Sequence, residues 1–231
     1  MCRGPRRKVP TVLRIRIPAG DGGDGADARP EIDAVLLDMD GTLVNSNAAV
    51  ERNWTRWALA HDVDPQAIVA VCHGATTQAT ITRFRPDLDD ETVESMSRDL
   101  MDAEVNDVEG VVPMPGAPAL VAWLDSVAAP WAVVTNADHP LCKARLEAAG
   151  IEAPLLVTVE EVPVGKPDPA LYLLAARRLD VDIVRCLVVE DSPAGVEAGQ
   201  AAGALVAALE RDDGDVRIAD LHELLGLLDI R

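Results

Sequence analysis

The stretch AVLLDMDG, residues 34–41, carries the strongest indication of the fold class in this sequence. Four consecutive apolar residues are typical of a strand that is buried on both faces, as in a parallel sheet covered by helices. The run ends at Asp38, Asp40 and Gly41, and the Asp-Gly pair indicates a tight turn. The stretch therefore predicts a buried strand whose carboxyl end carries two acidic side chains.

Downstream of residue 108, short apolar runs alternate with stretches of helical periodicity. We predict strands at 131–135, 155–158, 186–190 and 204–207, and helices near 117–126, 139–149, 168–178 and 193–202. Strands that alternate with helices in this way form βαβ units, which place the strands parallel. The fold class is therefore α/β, with a doubly wound, mostly parallel sheet.

The chain divides into three parts by composition. Residues 1–30 are first basic and then rich in Gly and Asp, so we predict a disordered extension. Residues 31–47 and 108–231 form the α/β core. Residues 48–107 form a small inserted helical domain, the cap, whose first helix we expect Asn47 to cap. Trp54 and Trp57 lie three residues apart, which favours the cap interior over stacking on a sugar.

Composition limits the classes of partner. The chain has 231 residues and a net charge of −18, which argues against nucleic acid or an anionic membrane as the main partner. The sequence contains neither a membrane-spanning apolar run nor a signal-peptide pattern, so we expect a cytoplasmic protein. The four cysteines are scattered and predict reduced thiols. We expect a monomer.

Polar residues that can carry chemistry follow several predicted strands. They are Asp38 and Asp40, Thr135 and Asn136, and Glu190 and Asp191, with Lys166 in a loop before a helix. In a doubly wound sheet, ligands bind outside the carboxyl ends of the strands. Two like charges 4 Å apart repel by about 4 kcal/mol at an effective dielectric near 20, so a cation is expected among these carboxylates. All-oxygen ligands favour Mg²⁺.

The same residues resemble the four sequence motifs of the haloacid dehalogenase-like (HAD) hydrolase superfamily. The matching segments are DMDGTLV at 38–44, TN at 135–136, KPDP at 166–169 and EDS at 190–192. The resemblance covers residues 32 to about 225. It implies a HAD-like, Rossmannoid core with an inserted helical cap, and a Mg²⁺-dependent phosphatase.

The resemblance also implies a role for each residue. Asp38 would be the nucleophile that forms an aspartyl-phosphate, and Asp40 would protonate the leaving alcohol and then activate water. Thr135 would bind phosphoryl oxygens, and Lys166 would neutralise charge. The metal ligands would be Asp38, Asp40 through its backbone carbonyl, Asp191 and Glu190. Gly41 and Asn136 would contact the substrate, and we expect Ser192 to cap its helix.

The cap loop CHGATTQ, residues 72–78, resembles the substrate-specificity loop of sugar phosphatases and β-phosphoglucomutases. The alternative is a plain helix C-cap at Gly74. We expect His73 and Thr77 to face the substrate, a small phosphorylated metabolite of the sugar phosphate class. The residues at 75–77 depart from relatives that carry a basic residue after the glycine, so the substrate itself stays open.

Four other functions stay open. A phosphomutase of the β-phosphoglucomutase type would use the same two aspartates, and a phosphoglycolate or glycerol-phosphate phosphatase would share the whole core. A receiver-like signalling domain also clusters aspartates with Thr and Lys, although it would lack the helical insertion and the acidic pair near residue 190. A catalytically silent binding module is the fourth possibility.

Overall fold

The structure, a computed structural model, describes residues 11–17, 28–72 and 76–231. Within these ranges the strands are β1 (Leu13–Ile15), β2 (Glu31–Ile32), β3 (Ala34–Leu37), β4 (Val44–Asn45), β5 (Val112–Pro113), β6 (Trp131–Val134), β7 (Leu156–Val157), β8 (Cys186–Glu190), β9 (Leu205–Leu209), β10 (Val216–Ile218) and β11 (Leu228–Ile230). The α-helices are α1 (Asn47–Ala60), α2 (Pro65–Val69), α3 (Thr77–Phe84), α4 (Asp90–Asn106), α5 (Ala117–Ser126), α6 (His139–Ala148), α7 (Ala170–Leu179), α8 (Pro193–Ala202) and α9 (Leu221–Leu227). Short 3₁₀ helices lie at Val159–Glu161 and Ile183–Arg185.

A six-stranded parallel sheet forms the core, with the order β10-β9-β8-β3-β6-β7. Strand β3 lies in the middle, and Leu37 pairs with Val189 on one side and with Val133 on the other. Strands β6 and β7 lie on one side of β3, and β8, β9 and β10 lie on the other. The direction of the strand order therefore reverses beside β3, and such a reversal leaves a crevice at the carboxyl edge. The predicted doubly wound parallel sheet is confirmed.

Both faces of the sheet are covered, as the apolar run of β3 predicts. Val35 and Leu37 pack into a cluster with residues of α5, α6 and α9. Ala34 and Leu36 point the other way and pack against α7 and α8. Successive side chains of a strand alternate between its faces, so a strand between two layers of helices needs apolar residues at every position.

A second, three-stranded antiparallel sheet has the order β11-β1-β2. Leu13 and Ile15 of β1 are fully buried in the main core cluster. The prediction of a disordered extension over 1–30 is therefore wrong for residues 11–17 and 28–30. The stretch 13–17 alternates apolar residues with arginine, which is the period-2 pattern of a strand, but the overall composition of residues 1–30 did not reveal it. Residues 1–10 and 18–27 lie outside the described residues.

Helices α1 to α4 enclose an apolar cluster of their own. It includes Trp54, Trp57, Ile68, Ile81 and Leu100. The rings of Trp54 and Trp57 meet edge to face with their centroids 5.7 Å apart, so these residues lie in the interior of the predicted cap. Helix α4 packs against α6 of the core. No helix in the described part of the chain is long and apolar enough to cross a bilayer.

The two segments that join the cap helices to the core run side by side. Strands β4 and β5 pair antiparallel, and Asp107, just after α4, accepts hydrogen bonds from Arg52 and Arg56 of α1. The expectation that Asn47 caps α1 is wrong, because Asn47 is the first residue of the helix. The N-cap is Ser46, whose side chain makes no cap hydrogen bond. The boundaries at 48 and 107 stay predictions.

Candidate active site

The carboxyl edge of the sheet brings together charged residues that are far apart in the sequence. Lys166 Nζ donates to Asp38 Oδ1 and Glu190 Oε1, both at 2.6 Å, and to the backbone oxygen of Val134 at 2.8 Å. All three charged side chains are buried. Asp38 follows β3 and Glu190 ends the neighbouring β8, so the parallel register places their side chains side by side.

Two glycines allow this close packing. Gly41 has φ of +84°, and a Cβ there would lie 2.0 Å from Asp191 Oδ2. At Gly195, in the first turn of α8, a Cβ would lie 1.8 Å from Glu190 Cδ. Any side chain at either position would therefore displace a carboxylate of the site. The backbone of Gly41 is also in the left-handed conformation, which glycine adopts without strain.

The loop that carries Lys166 is held by Asn136. Lys166 N donates to Asn136 Oδ1 at 2.8 Å, and Asn136 Nδ2 donates back to the backbone oxygen of Lys166 at 3.2 Å. Both polar atoms of the amide thus bind the Lys166 backbone, and a substrate contact of Asn136 stays a prediction. Thr135 is buried, and its hydroxyl oxygen accepts from Ala137 N at 3.0 Å, which leaves its proton to donate.

Glu190 is fully buried and accepts hydrogen bonds at both carboxylate oxygens. Oε1 accepts from Lys166 Nζ and from Tyr172 Oη at 2.7 Å. Oε2 accepts from the backbone N–H groups of Asp191 and Ser192 and from Ser192 Oγ. Ser192 also accepts from Gly195 N, so its predicted helix cap is confirmed. Glu190 thus contributes charge and position, and its direct contact with a metal stays a prediction.

The electrostatics of the cluster favour a cation. Burial, reinforced by the charge of Glu190, raises the pKa of Asp38 well above its ordinary value although Lys166 opposes the rise. Burial and Glu190 also raise the pKa of Asp191 to about 6. Burial lowers the pKa of Lys166, but Asp38 and Glu190 outweigh it, so the pKa is raised and the ammonium persists.

The cluster can hold a metal ion. Ligand oxygens of Asp38, Glu190 and Asp191 lie within 4.8 Å of one another. These are hard oxygen donors, and Ca²⁺ or Mg²⁺ suits them better than a soft metal does. A divalent cation would also offset the carboxylate repulsion that, together with burial, raises the pKa values of Asp38 and Asp191. The donor set therefore fits the predicted metal site.

Asp40 has two partners that the sequence did not predict. Ser46 Oγ donates to its Oδ1 at 2.6 Å, and Arg145 Nη1 donates to its Oδ2 at 2.7 Å. Arg145 Nη2 donates in turn to Glu104 Oε2 on α4 at 2.7 Å. Burial raises the pKa of Glu104 even though Arg145 opposes the shift. The hydroxyl of Ser46, the N-cap residue of α1, therefore binds Asp40 and does not cap the helix.

Sequence reasoning missed Arg145 and Tyr172. Arg145 lies between Cys142 and Leu146 on the buried face of α6. A charged residue at an apolar helix position is a signal that could have revealed it. Tyr172 is the single tyrosine of the chain and lies at the start of the helix after the Lys166 loop, but nothing in the sequence pairs it with Glu190.

The predicted cap residues are only partly described. His73 lies outside the described residues. Thr77 is the first residue of α3, directly after the N-cap Thr76, whose Oγ1 accepts from Ala79 N. The role of both in substrate recognition stays a prediction. A cavity of about 470 Å³ opens beside Gly41 and Asp191 and gives room for a small molecule at the carboxyl edge.

Comparison with known proteins points to one family. A model of the haloacid dehalogenase-like hydrolases matches residues 32–203. Hexitol phosphatase A of Escherichia coli is 38% identical over 195 residues, which cover 84% of this chain and 90% of that protein. The 2-deoxyglucose-6-phosphate phosphatase 1 of Saccharomyces cerevisiae is 32% identical over 75% of this chain and 78% of that protein.

A similar fold occurs in the crystal structure of a HAD hydrolase, family IA, variant 3, from Entamoeba histolytica. Its TM-score is 0.74 at 20% identity, and the match covers 83% of this chain and 95% of that chain. At this identity the likeness concerns the fold. It agrees with the parallel sheet described above.

Proposed function

The chain belongs to the haloacid dehalogenase-like hydrolase family, and we propose that it hydrolyses a phosphorylated sugar or sugar alcohol through a phosphorylated Asp38. The observation that carries the proposal is the buried contact of Lys166 with both Asp38 and Glu190. An ammonium at 2.6 Å opposes protonation of the Asp38 nucleophile and can neutralise phosphoryl oxygens beside it.

The proposed reaction has two steps. An Asp38 carboxylate oxygen attacks phosphorus, the bond from phosphorus to the ester oxygen breaks, and the leaving oxygen takes a proton from Asp40. Water then attacks the phosphorus of phospho-Asp38 and gives a proton to Asp40, and the bond from phosphorus to the Asp38 oxygen breaks, which releases phosphate and restores both side chains. Thr135 would donate its hydroxyl proton to a phosphoryl oxygen.

We further propose Mg²⁺ as the metal, held by Asp38, Asp191 and the backbone carbonyl of Asp40. When bound, the ion supplies charge neutralisation for the phosphoryl group and the attacking carboxylate. Both carboxylate oxygens of Glu190 already accept hydrogen bonds from protein donors. Its proposed role is therefore to balance the positive charge of Lys166.

The sugar class is supported by the relatives. The protein that is 38% identical over most of both chains is named a hexitol phosphatase, and a second relative is named for 2-deoxyglucose 6-phosphate. We propose that His73 and Thr77 contact the sugar. The monomeric state and the cytoplasmic location also stay predictions.

A phosphate-release assay with Mg²⁺ tests the proposal. The panel contains hexitol phosphates, 2-deoxyglucose 6-phosphate, glycerol phosphate and phosphoglycolate. We expect turnover with the hexitol or hexose esters and none in Asp38→Asn. Asp33→Asn is the matched control, because Asp33 precedes the same strand at the opposite edge of the sheet and pairs with Arg185. An isomeric ester without free phosphate would instead indicate a mutase, and turnover by Asp38→Asn would contradict the assigned nucleophile.

A further inference from the structure

Arg145 links the core to the cap helices through two carboxylates. Its side chain, on core helix α6, is 6% exposed. One end of the guanidinium donates to Asp40 and the other to Glu104 of α4, each at 2.7 Å. The carboxylates belong to parts of the chain that are 64 residues apart, one at the end of β3 and one near the end of the cap helices.

A buried arginine needs partners, because an unpaired charge away from water is costly. The guanidinium is planar and its donors are fixed relative to one another, so each carboxylate restricts where the other can lie. Glu104, with a side chain 11% exposed, is itself enclosed. The position of the guanidinium therefore depends on both the core and α4.

The orientation of Asp40 follows from this bridge. Its Oδ2 is held by Arg145 and its Oδ1 by Ser46, so both oxygens are directed by protein donors. In the proposed reaction the Asp40 carboxyl must deliver a proton to the leaving oxygen, and small errors in its direction lower the rate. Arg145 and Glu104 do not themselves need to contact substrate for this purpose.

We propose that Arg145 is a positioning residue for Asp40, and that Glu104 makes this positioning depend on where cap helix α4 lies. The proposal rests on the proposed function, which assigns Asp40 as the proton donor. The competing explanation is an ion bridge that only fastens α4 to α6. The two explanations differ in how the effect of a mutation depends on the leaving group.

The test is the rate of the first turnover for two esters, measured by rapid mixing with excess enzyme. An alkyl phosphate such as a hexitol phosphate needs a proton on its leaving oxygen, whereas p-nitrophenyl phosphate releases a stable anion without one. The variants are Arg145→Ala and Glu104→Gln. Arg185→Ala is the control, since Arg185 also binds two carboxylates, Asp33 and Glu31, at the opposite edge of the sheet.

We expect Arg145→Ala to slow the alkyl ester by at least about tenfold and the nitrophenyl ester by less than about threefold, within the range that a general acid contributes. Added guanidinium should restore part of the alkyl rate, because it can occupy the space between Asp40 and Glu104. Glu104→Gln should slow the alkyl ester alone, by about three- to tenfold. If Arg145→Ala does not fold, Glu104→Gln still decides, since it keeps the size of the side chain and removes its charge and one acceptor oxygen.

Two results would overturn the inference. Equal losses for both esters would indicate a structural bridge, and variants that behave like Arg185→Ala would show that the bridge does not position Asp40. Asp40→Asn separates this failure from a failure of the proposed function. If Asp40→Asn no longer hydrolyses the alkyl ester while Arg145→Ala and Glu104→Gln hydrolyse it at the parent rate, only the positioning role is wrong. If Asp40→Asn hydrolyses the alkyl ester at the parent rate, the assignment of Asp40 as the proton donor is wrong.

Discussion

Replacement of Tyr172 by Phe removes one hydroxyl from the buried charge cluster and leaves the ring in place. Tyr172 Oη donates to Glu190 Oε1 at 2.7 Å, the same oxygen that accepts from Lys166. Lys166 Nζ also lies 5.0 Å from the centroid of the tyrosine ring, a contact that Phe preserves. The change therefore isolates one hydrogen bond to a buried carboxylate.

The structure sets the size of the effect. Tyr172 is fully buried, so water cannot replace the lost donor. A hydrogen bond to a charged group contributes about 1.5–3 kcal/mol. For a chain of this length, that loss lowers the unfolding midpoint by about 3–12 °C. Turnover should fall by up to about tenfold, because Lys166 must then neutralise more of Glu190 and less of Asp38.

Thermal and urea unfolding of the parent and of Tyr172→Phe measure the stability, and kcat for the best substrate measures the chemistry. The control is Ser126→Ala, which removes a hydroxyl that donates to the exposed backbone oxygen of Trp123. We expect the control to stay within about 0.5 kcal/mol of the parent. If Tyr172→Phe costs no more than the control, Glu190 does not depend on the tyrosine and the account of the cluster is wrong.

Four further predictions concern other parts of the molecule. Leu13→Ala should cost about 2–5 kcal/mol in urea unfolding, because Leu13 is fully buried; an unchanged midpoint would mean that β1 does not contribute to the fold. Mg²⁺ at a hundredfold excess over its dissociation constant should stabilise the parent by about 2.7 kcal/mol, and Asp191→Asn should abolish that shift in a thermal melt. Arg52 and Arg56 hold the pKa of Asp107 below its ordinary value of 3.8, so Asp107 stabilises the fold above pH 4 and loses this effect as the pH falls towards its native pKa. The stability difference between the parent and Asp107→Asn should therefore be constant from pH 7 to pH 5 and shrink below pH 4, and a difference that persisted there would exclude the ion pair as its source. Thr77→Ala should change the ratio of kcat/KM values among sugar phosphates while sparing p-nitrophenyl phosphate, and unchanged ratios would exclude a specificity role.

The parallel core and the residues at its carboxyl edge could be predicted from the amino-acid sequence. Residues 34–41 and the later apolar runs predict the central strands, because a strand covered on both faces must be apolar at every position. The residues after those strands then had to meet at one edge. The proximity of Asp38 and Glu190 follows from the parallel pairing of β3 with β8.

Features that depend on contacts between distant segments became visible only in the folded molecule. Strand β1 forms because β11, more than 200 residues away, and β2 provide backbone partners and a buried face. Composition averaged over residues 1–30 could not reveal that pairing. Arg145 contacts both Asp40 and Glu104 only because α4 packs beside α6. The hydrogen-bond partner of a buried polar group depends on which helices and strands pack around it. Those elements are distant in sequence, so the residues next to the polar group do not identify its partner.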